Sequence, residues 1–336
     1  MLDYSLPRHN KKLNNQSLFC WLVLQQDLRA HPPNPRSLIV RYIPMSKTKQ
    51  LNHITTASGD FDGNGSYGRY VFLSGSGSRA KRVAENHFSN LVVRKSDRGH
   101  DLYLGTLESD GESIDVASIS TGMGVSSVEI ILSELIFAGA RRFLRIGTCG
   151  SLQPEKIRVP SAVVVTAAVR DERASADYAP LEVPAVATPE YVEFLNKAAI
   201  ASDWGEHTYC GIVHCKSTLY GREFGYSPLK EVHDAYIRNL SNLGVLATEM
   251  ESSLLFILGM CHNKDIKPIS ASVAPTSFSA EDISVGTLLA VIGDDQPFSD
   301  AQELKGKSVE KIIEIALNFV RLHYRCLLYT SDAADE

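Results

Sequence analysis

The sequence predicts one α/β domain with an extension at either end. Three observations lead there. The 336 residues are 44% hydrophobic and 22% charged, the balance of a globular chain long enough for one large α/β domain or two small ones. Short apolar runs of strand type alternate with segments whose apolar residues recur at helical spacing. Several of those runs lead into glycine-bearing loops, and two such loops are expected at one edge of a sheet, where α/β folds bind ligands.

Composition also excludes classes of function. A formal net charge of -5 argues against a general nucleic-acid binder, and no apolar run approaches the roughly 18 residues of a membrane span. Six cysteines (Cys20, Cys149, Cys210, Cys215, Cys261 and Cys326) are scattered along the chain, and Cys210 and Cys215 with His214 lack the second ligand pair of a zinc site. The expectation is a reducing, cytoplasmic location, no metal, and no nucleic-acid or membrane partner.

Residues 1–44 stand apart, with six Lys or Arg against two Asp, prolines at 32, 33 and 35, and one apolar knot at 18–24. They are read as a basic extension outside the core, residues 45–325 as the single domain, and 326–336 as a disordered or cloning-derived tail. The knot follows Lys11 and Lys12 but is at the short limit for a targeting peptide. A leader to an organelle and a true start at Met45 both stay open.

Asp60-Phe61-Asp62-Gly63-Asn64-Gly65-Ser66 spaces oxygen atoms like the opening of a calcium loop. The twelfth position, which needs a bidentate Glu, is Val71, so a glycine-rich turn ahead of a strand at 70–73 is the better reading. That strand ends in Ser74-Gly75-Ser76-Gly77-Ser78-Arg79 and passes into a helical composition at 80–85, a geometry that offers backbone N–H groups to an anion. The loop is neither a P-loop nor a dinucleotide fingerprint.

Residues 102–107 and 114–119, with a turn at Asp110-Gly111, read as a hairpin. Ser120-Thr121-Gly122-Met123-Gly124 then leads into a helix in which Ser126 and Glu129 have capping-box spacing. Val128, Ile131, Leu132 and Leu135 form its apolar face, and Gly139 ends it.

The most informative stretch is Phe143-Leu144-Arg145-Ile146-Gly147-Thr148-Cys149-Gly150, an apolar strand carrying one arginine into a Gly-Thr-Cys-Gly loop. A guanidinium in a buried strand is costly without a partner, and a planar fork is suited to an oxyanion. Gly147 and Gly150 permit close approach of a ligand, and Thr148 adds a hydroxyl. An internal salt bridge beside an ordinary turn is the alternative.

A strand at 161–166 is followed by 167–180, whose Arg170, Asp171, Glu172, Arg173 and Tyr178 are read as solvated. Next come a helix at 191–200, a strand at 211–214, and a polar loop with aromatic residues at 215–224 that suits a planar ligand, although a surface loop looks the same. After a helix at 231–243 and a short strand at 244–247, Thr248-Glu249-Met250-Glu251-Ser252-Ser253 opens an apolar helix at 254–260. Glu249 could merely complement the helix dipole; the second carboxylate, Glu251, points to hydroxyl binding. A late strand is read at 269–274, and a closing helix from Ser308 carries Val309, Ile312, Ile313, Ala316, Leu317 and Val320 on one face.

Over about residues 53 to 323 the chain resembles the nucleoside phosphorylases of the first structural type, most closely their uridine-acting branch. The resemblance is carried by 143–150, by Glu249-Met250-Glu251, and by Ser120-Thr121-Gly122-Met123-Gly124 with Ser127, Ile130, Glu134 and Leu135; Ser126 and Glu129 depart from the family's signature. It implies a three-layer α/β/α sandwich around a mixed central sheet. It also implies reversible phosphorolysis of uridine or a related pyrimidine nucleoside to free base and ribose 1-phosphate, with phosphate as co-substrate and no cofactor.

By position, the resemblance implies Gly75, Arg79, Arg145 and Thr148 as the phosphate cradle, with Arg98 donated by a neighbouring subunit. Met250 and Glu251 match the ribose contacts, and His53 the histidine that reaches the partner's 5′-hydroxyl, so a homodimer or a dimer-based oligomer is implied. Arg145 and Glu251 are the residues expected to carry catalysis.

The base site departs from the pattern. The family's Phe-Tyr-x-Gly-Gln-x-Arg loop corresponds to Leu219-Tyr220-Gly221-Arg222-Glu223-Phe224, one residue shorter and without the Gln. Cys149, Gly150, Leu219, Arg222 and Phe224 are the expected base contacts. The purine branch's Asp after the late strand is absent from Val273-Ala274-Pro275-Thr276-Ser277-Phe278. A purine nucleoside phosphorylase, a nucleosidase of the same fold, and a non-catalytic nucleoside-binding paralogue are the alternatives.

Overall fold

A computed structural model describes residues 51–263, 282–294 and 302–332, all within one compact unit that begins at Gln50. The extension at 1–44, the choice of Met45 as start, the strand read at 269–274 and the loop at 273–278 lie outside the described residues.

Among the described residues ten strands form one mixed sheet. At its centre, β1 (Tyr70–Ser74) lies between β4 (Glu112–Ser120) and β5 (Arg142–Ser151), parallel to both, with Ser74 level with Ser120 and Ile146. The segments that leave the C-terminal ends of β1 and β4 therefore gather at one edge beside β5. Outside β4 the sheet continues antiparallel through β3 (Leu102–Ser109) to β2 (Ser89–Arg94). The β3–β4 turn places Asp110 and Gly111 at φ 53 and 86, the left-handed pair that a two-residue hairpin requires.

On the other side the sheet curls. β6 (Ser161–Asp171) pairs with β8 (Thr208–Lys216) and with the two-residue β7 (Ala185–Val186). β8 pairs with β9 (Ala247–Glu249), β9 with the end of β5, and β10 (Ser284–Gly293) with both β5 and β6. The ring β5–β9–β8–β6–β10 thus closes on itself. β10 was not foreseen. It is apolar on both faces, without the alternation that marks a half-exposed strand, and Gly286 interrupts it where a Cβ would lie 2.9 Å from Tyr191.

The expected three layers are present. Val71, Leu73, Phe143 and Leu289 face one way and pack with α2 (Val125–Phe137) and α5 (Ser252–His262). Tyr70, Phe72, Leu144 and Leu288 face the other way, toward α1 (Gly77–His87), α3 (Pro189–Ala201) and α6 (Gln302–Asp332). α4 (Lys230–Asn242) packs separately through Leu240 on Leu152 and Val245.

Several local expectations are corrected. Gly147-Thr148-Cys149-Gly150 is not a loop; it continues β5, because β10 and β9 supply backbone partners up to its end. The short strand after α4 spans Ala247–Glu249 rather than 244–247, since Gly244 at φ 81 ends the preceding helix. Ser126 and Glu129 form no capping box: the N-cap of α2 is Gly124, without a side-chain cap, and Glu129 accepts instead from Tyr178 and Ser133. Gly139 does close that helix, its N–H bonding Ile136 while Ala140 N–H bonds Leu135. α6 starts at Gln302 and runs through Asp332, so residues 326–332 continue a helix.

Segment 167–180 is solvated only in part: Arg173 and Tyr178 are exposed, whereas Arg170 and Glu172 are tied inward. Arg170 donates to the carbonyls of Ser175, Ala179, Pro180 and Val183, and buried Glu172 accepts from Ser175 N–H and Ser253 Oγ. A local charge pattern carries no sign of a partner 81 residues away.

Candidate active site

A cavity of about 320 Å³ opens where β1, β4 and β5 end together. Its lining draws on separated stretches of the chain: Gly75, Ser76 and Arg79; Met123; Arg145, Thr148, Cys149 and Gly150; Lys216, Leu219 and Glu223; Thr248 to Glu251; and Ile292.

The first wall is built for an anion. Ser76 Oγ caps α1 by accepting Arg79 N–H, and no acidic residue occupies the first turn, so the positive end of the helix dipole is uncompensated there. Arg79 lies alongside, donating to Ile146 O at 3.2 Å. Burial and the neighbouring Arg145 and Arg82 lower its pKa to about 10. Arg145 is 4% exposed, and its Nε and Nη1 have no hydrogen-bond partner among the described residues. A buried guanidinium with unsatisfied donors, beside a second one, is suited to binding an oxyanion.

Glycines keep that space open. A Cβ at Gly75 would lie 3.8 Å from Arg145 Nη2 and 3.7 Å from Gly122 O, so these three segments converge on one point. Thr121 N–H bonds Ser74 O at 2.8 Å and Ser127 Oγ bonds Thr121 O at 2.5 Å, which ties loop 121–124 to the end of β1.

Opposite stands Glu251. Its Oε2 lies 2.5 Å from Arg145 Nη2, and its Oε1 accepts Gly124 N–H at 2.7 Å. Glu249 does the work foreseen for a helix start: it accepts the N–H groups of Glu251 and Ser252, while burial and the charge of Glu251 raise its pKa. The two carboxylates therefore divide their tasks, one holding the backbone and one facing the cavity. Met250 reaches toward Gly124 across the same opening.

The sequence pattern of the phosphorylase superfamily matches residues 69–287. The chain belongs to that superfamily. It is similar to the uridine phosphorylase of Treponema pallidum (strain Nichols), with 31% identity over 261 residues, covering 76% of this chain and 89% of the relative. The uridine phosphorylase of Haemophilus influenzae is 37% identical over 192 residues, 56% of this chain and 73% of that one. That of Escherichia coli (strain K12) is 37% identical over 171 residues, 48% and 62% respectively.

Within this phosphorylase-superfamily cavity the structure brings together Gly75, Arg79, Arg145, Thr148, Cys149, Gly150, Leu219, Met250 and Glu251. It does not bring in Arg222 or Phe224. Arg222 turns away to Asp171 and lies over the Tyr236 ring, and Phe224 lies beside Tyr220, 39% exposed. Their neighbour Glu223 and the strand residue Lys216, neither of them foreseen, line the cavity instead. Cys149 is a buried thiol whose pKa burial pushes up, the opposite of the shift that activates a thiolate nucleophile.

His53 and Arg98 also lie outside the cavity. His53 Nδ1 is 2.7 Å from Glu134 Oε1, and Glu134 also accepts the N–H groups of Asn52, His53 and Ile54, which anchors that segment on α2. Arg98 is exposed on the turn between β2 and β3, near the loops of the site: Gly99 O is 3.6 Å from where a Gly77 Cβ would be. Among the described residues no three His, Cys, Asp or Glu are grouped to hold a metal, and no helix is long and apolar enough to cross a membrane.

Proposed function

We propose that the protein is a pentosyltransferase that catalyses reversible phosphorolysis of uridine or a closely related nucleoside. The observation that carries this reading is Arg145, buried, with two unpartnered N–H groups beside Arg79 and a third joined to Glu251.

Phosphate is the nucleophile, so no Ser or Cys nucleophile is required. Arg79, Arg145, Thr148 and the backbone at Gly75 hold the dianion against C1′. As the glycosidic bond lengthens, its electron pair moves to the base and the sugar gains oxocarbenium character. Glu251 accepts from the 2′- and 3′-hydroxyls, and Met250 packs against the sugar. Fixed charge and position supply the catalysis. The pairing of Arg145 with Glu251 keeps the phosphate and ribose subsites in register before either ligand arrives. No cofactor is needed for this chemistry.

The active unit on this reading is a homodimer in the cytoplasm, acting in pyrimidine salvage. His53 reaches the partner's ribose 5′-hydroxyl and Arg98 the partner's phosphate. The edge strand β2 supports it, since it exposes Leu91, Val92 and Val93 just before Arg98.

The test is base release from uridine, thymidine, inosine and adenosine, with and without phosphate. Phosphate-dependent release of a pyrimidine base with formation of ribose 1-phosphate is expected. Release that ignores phosphate would instead make the protein a nucleosidase, and the absence of any turnover would leave it a binding protein.

A further inference from the structure

We propose that Lys216 and Glu223 together read the base, selecting a ring that presents an N–H next to a carbonyl. The inference rests on the reading of the cavity as a nucleoside phosphorylase site and names the edge chemistry of its leaving group.

Lys216 closes β8, 2% exposed, and lines the cavity. Its Nζ is 2.8 Å from Glu223 Oε2 and donates to Thr248 Oγ1, also at 2.8 Å. An ammonium has three N–H directions, so one remains for the cavity. A buried lysine is expensive to keep charged, and this one is kept, with its carboxylate partner, at the wall of the cavity. Glu223 Oε1 lies over Gly150, 2.9 Å from where a Cβ would be, so a larger residue there would displace the carboxylate. The pair thus offers one donor and one acceptor at adjacent positions in a cavity that Leu219 and Ile292 also line.

The lysine is held from behind. Thr248 Oγ1 lies 3.1 Å from His214 Nδ1, His214 Nε2 lies 2.9 Å from Asp171, and Asp171 is paired with Arg222. Arg222, expected at the base, is on this account a positioning residue four links behind Lys216.

Uracil and thymine present a ring N–H flanked by carbonyls, and 6-oxopurines an N–H beside one. In each case the ammonium donates to the oxygen and the carboxylate accepts from the nitrogen. Cytosine and adenine put an amino group and a bare ring nitrogen at those places, which opposes donor to donor and acceptor to acceptor. A site built to hydrogen-bond one edge rejects the other strongly. The same contact assists the reaction. When the C1′–N bond breaks and phosphate oxygen bonds C1′, the electron pair delocalises onto the base carbonyl. The Lys216 ammonium stabilises that charge without giving up its proton. The ring nitrogen is protonated from water as the base departs.

Two readouts test this. Calorimetric binding of free uracil in the presence of phosphate is expected to weaken about tenfold or more in both Lys216→Met and Glu223→Ala, with phosphate affinity unchanged, which also reports that the variants are folded. In turnover, Lys216→Met is expected to lower kcat for uridine more than for 5-fluorouridine, whose base is the better leaving group. Uracil binding unaltered in both folded variants, or an equal kcat loss for the two nucleosides, would overturn the pair. Failure of the wild type to turn over any nucleoside would refute the phosphorylase reading alone, since uracil binding still decides the pair.

Discussion

Arg145 Nη2 and Glu251 Oε2 stand 2.5 Å apart, with the two side chains only 5% and 8% exposed. This contact joins the anion-facing and sugar-facing walls of the cavity, and its strength depends on what else Arg145 holds. Removing one member of a buried pair typically costs about 3–5 kcal/mol. Glu251→Gln is therefore expected to lower the unfolding midpoint in phosphate-free buffer. Added phosphate then restores more stability to the variant than to wild type, because the anion replaces the lost countercharge. Nucleoside turnover falls about 100-fold or more at the same time. Thermal shift against phosphate concentration checks the first claim; equal shifts for the two proteins would contradict it.

Gly75→Ala separates binding from folding. The added methyl meets nothing closer than 3.7 Å, so stability should change by no more than about 0.5 kcal/mol. It does take space beside Arg145 Nη2 where phosphate oxygens are proposed to lie. The expectation is a KM for phosphate raised about tenfold with the nucleoside KM little changed. Steady-state kinetics in the two substrates separately would show it.

What the sequence made legible were features whose cause is local. Arg145 in an apolar strand, the Asp110-Gly111 turn, the apolar face of α2 and the Gly139 terminus all follow from neighbours a few residues away. The features missed depend on distant partners. β10 reads as one more apolar run until Tyr191 and β5 explain its glycine and its place. Ser126 and Glu129 had the spacing of a cap, but the turn at Gly124 and the hydroxyl of Tyr178 took precedence. In the site, Arg145 and Glu251 were recognisable as charges that suit a ligand, and Arg79 entered through the family resemblance. Lys216 was not, because a lysine at a strand end usually reaches water, and nothing local says that this one is closed in by Glu223 and Thr248.

Arg222→Ala tests the corrected position of that arginine. Its guanidinium pairs with Asp171 outside the cavity. The nucleoside KM is therefore expected to change by less than about threefold, against the roughly 100-fold expected of a direct base contact. Freeing Asp171 leaves its full charge on His214, so the imidazole pKa should rise. Kinetics and an NMR titration of the histidine ring protons read the two effects independently.

His214 also gives the fold a pH dependence of definite sign. The ring is fully buried, and burial together with the Lys216 ammonium lowers its pKa from 6.5 to about 4. Asp171 does not reverse this, since Arg222 already neutralises it and the neutral ring donates Nε2–H to it. Between those two values the unfolded chain binds a proton that the folded chain refuses. Stability from this residue is thus complete above about pH 6.5 and is lost as pH falls toward about 4. The loss is on the order of 1–3 kcal/mol. Carboxylates titrate in the same range, so the difference between wild type and His214→Gln isolates the effect. Urea unfolding at a series of pH values should give a shallower decline for the variant between pH 6.5 and 4. Parallel declines would mean that the ring already accepts a proton in the folded state, held there by Asp171.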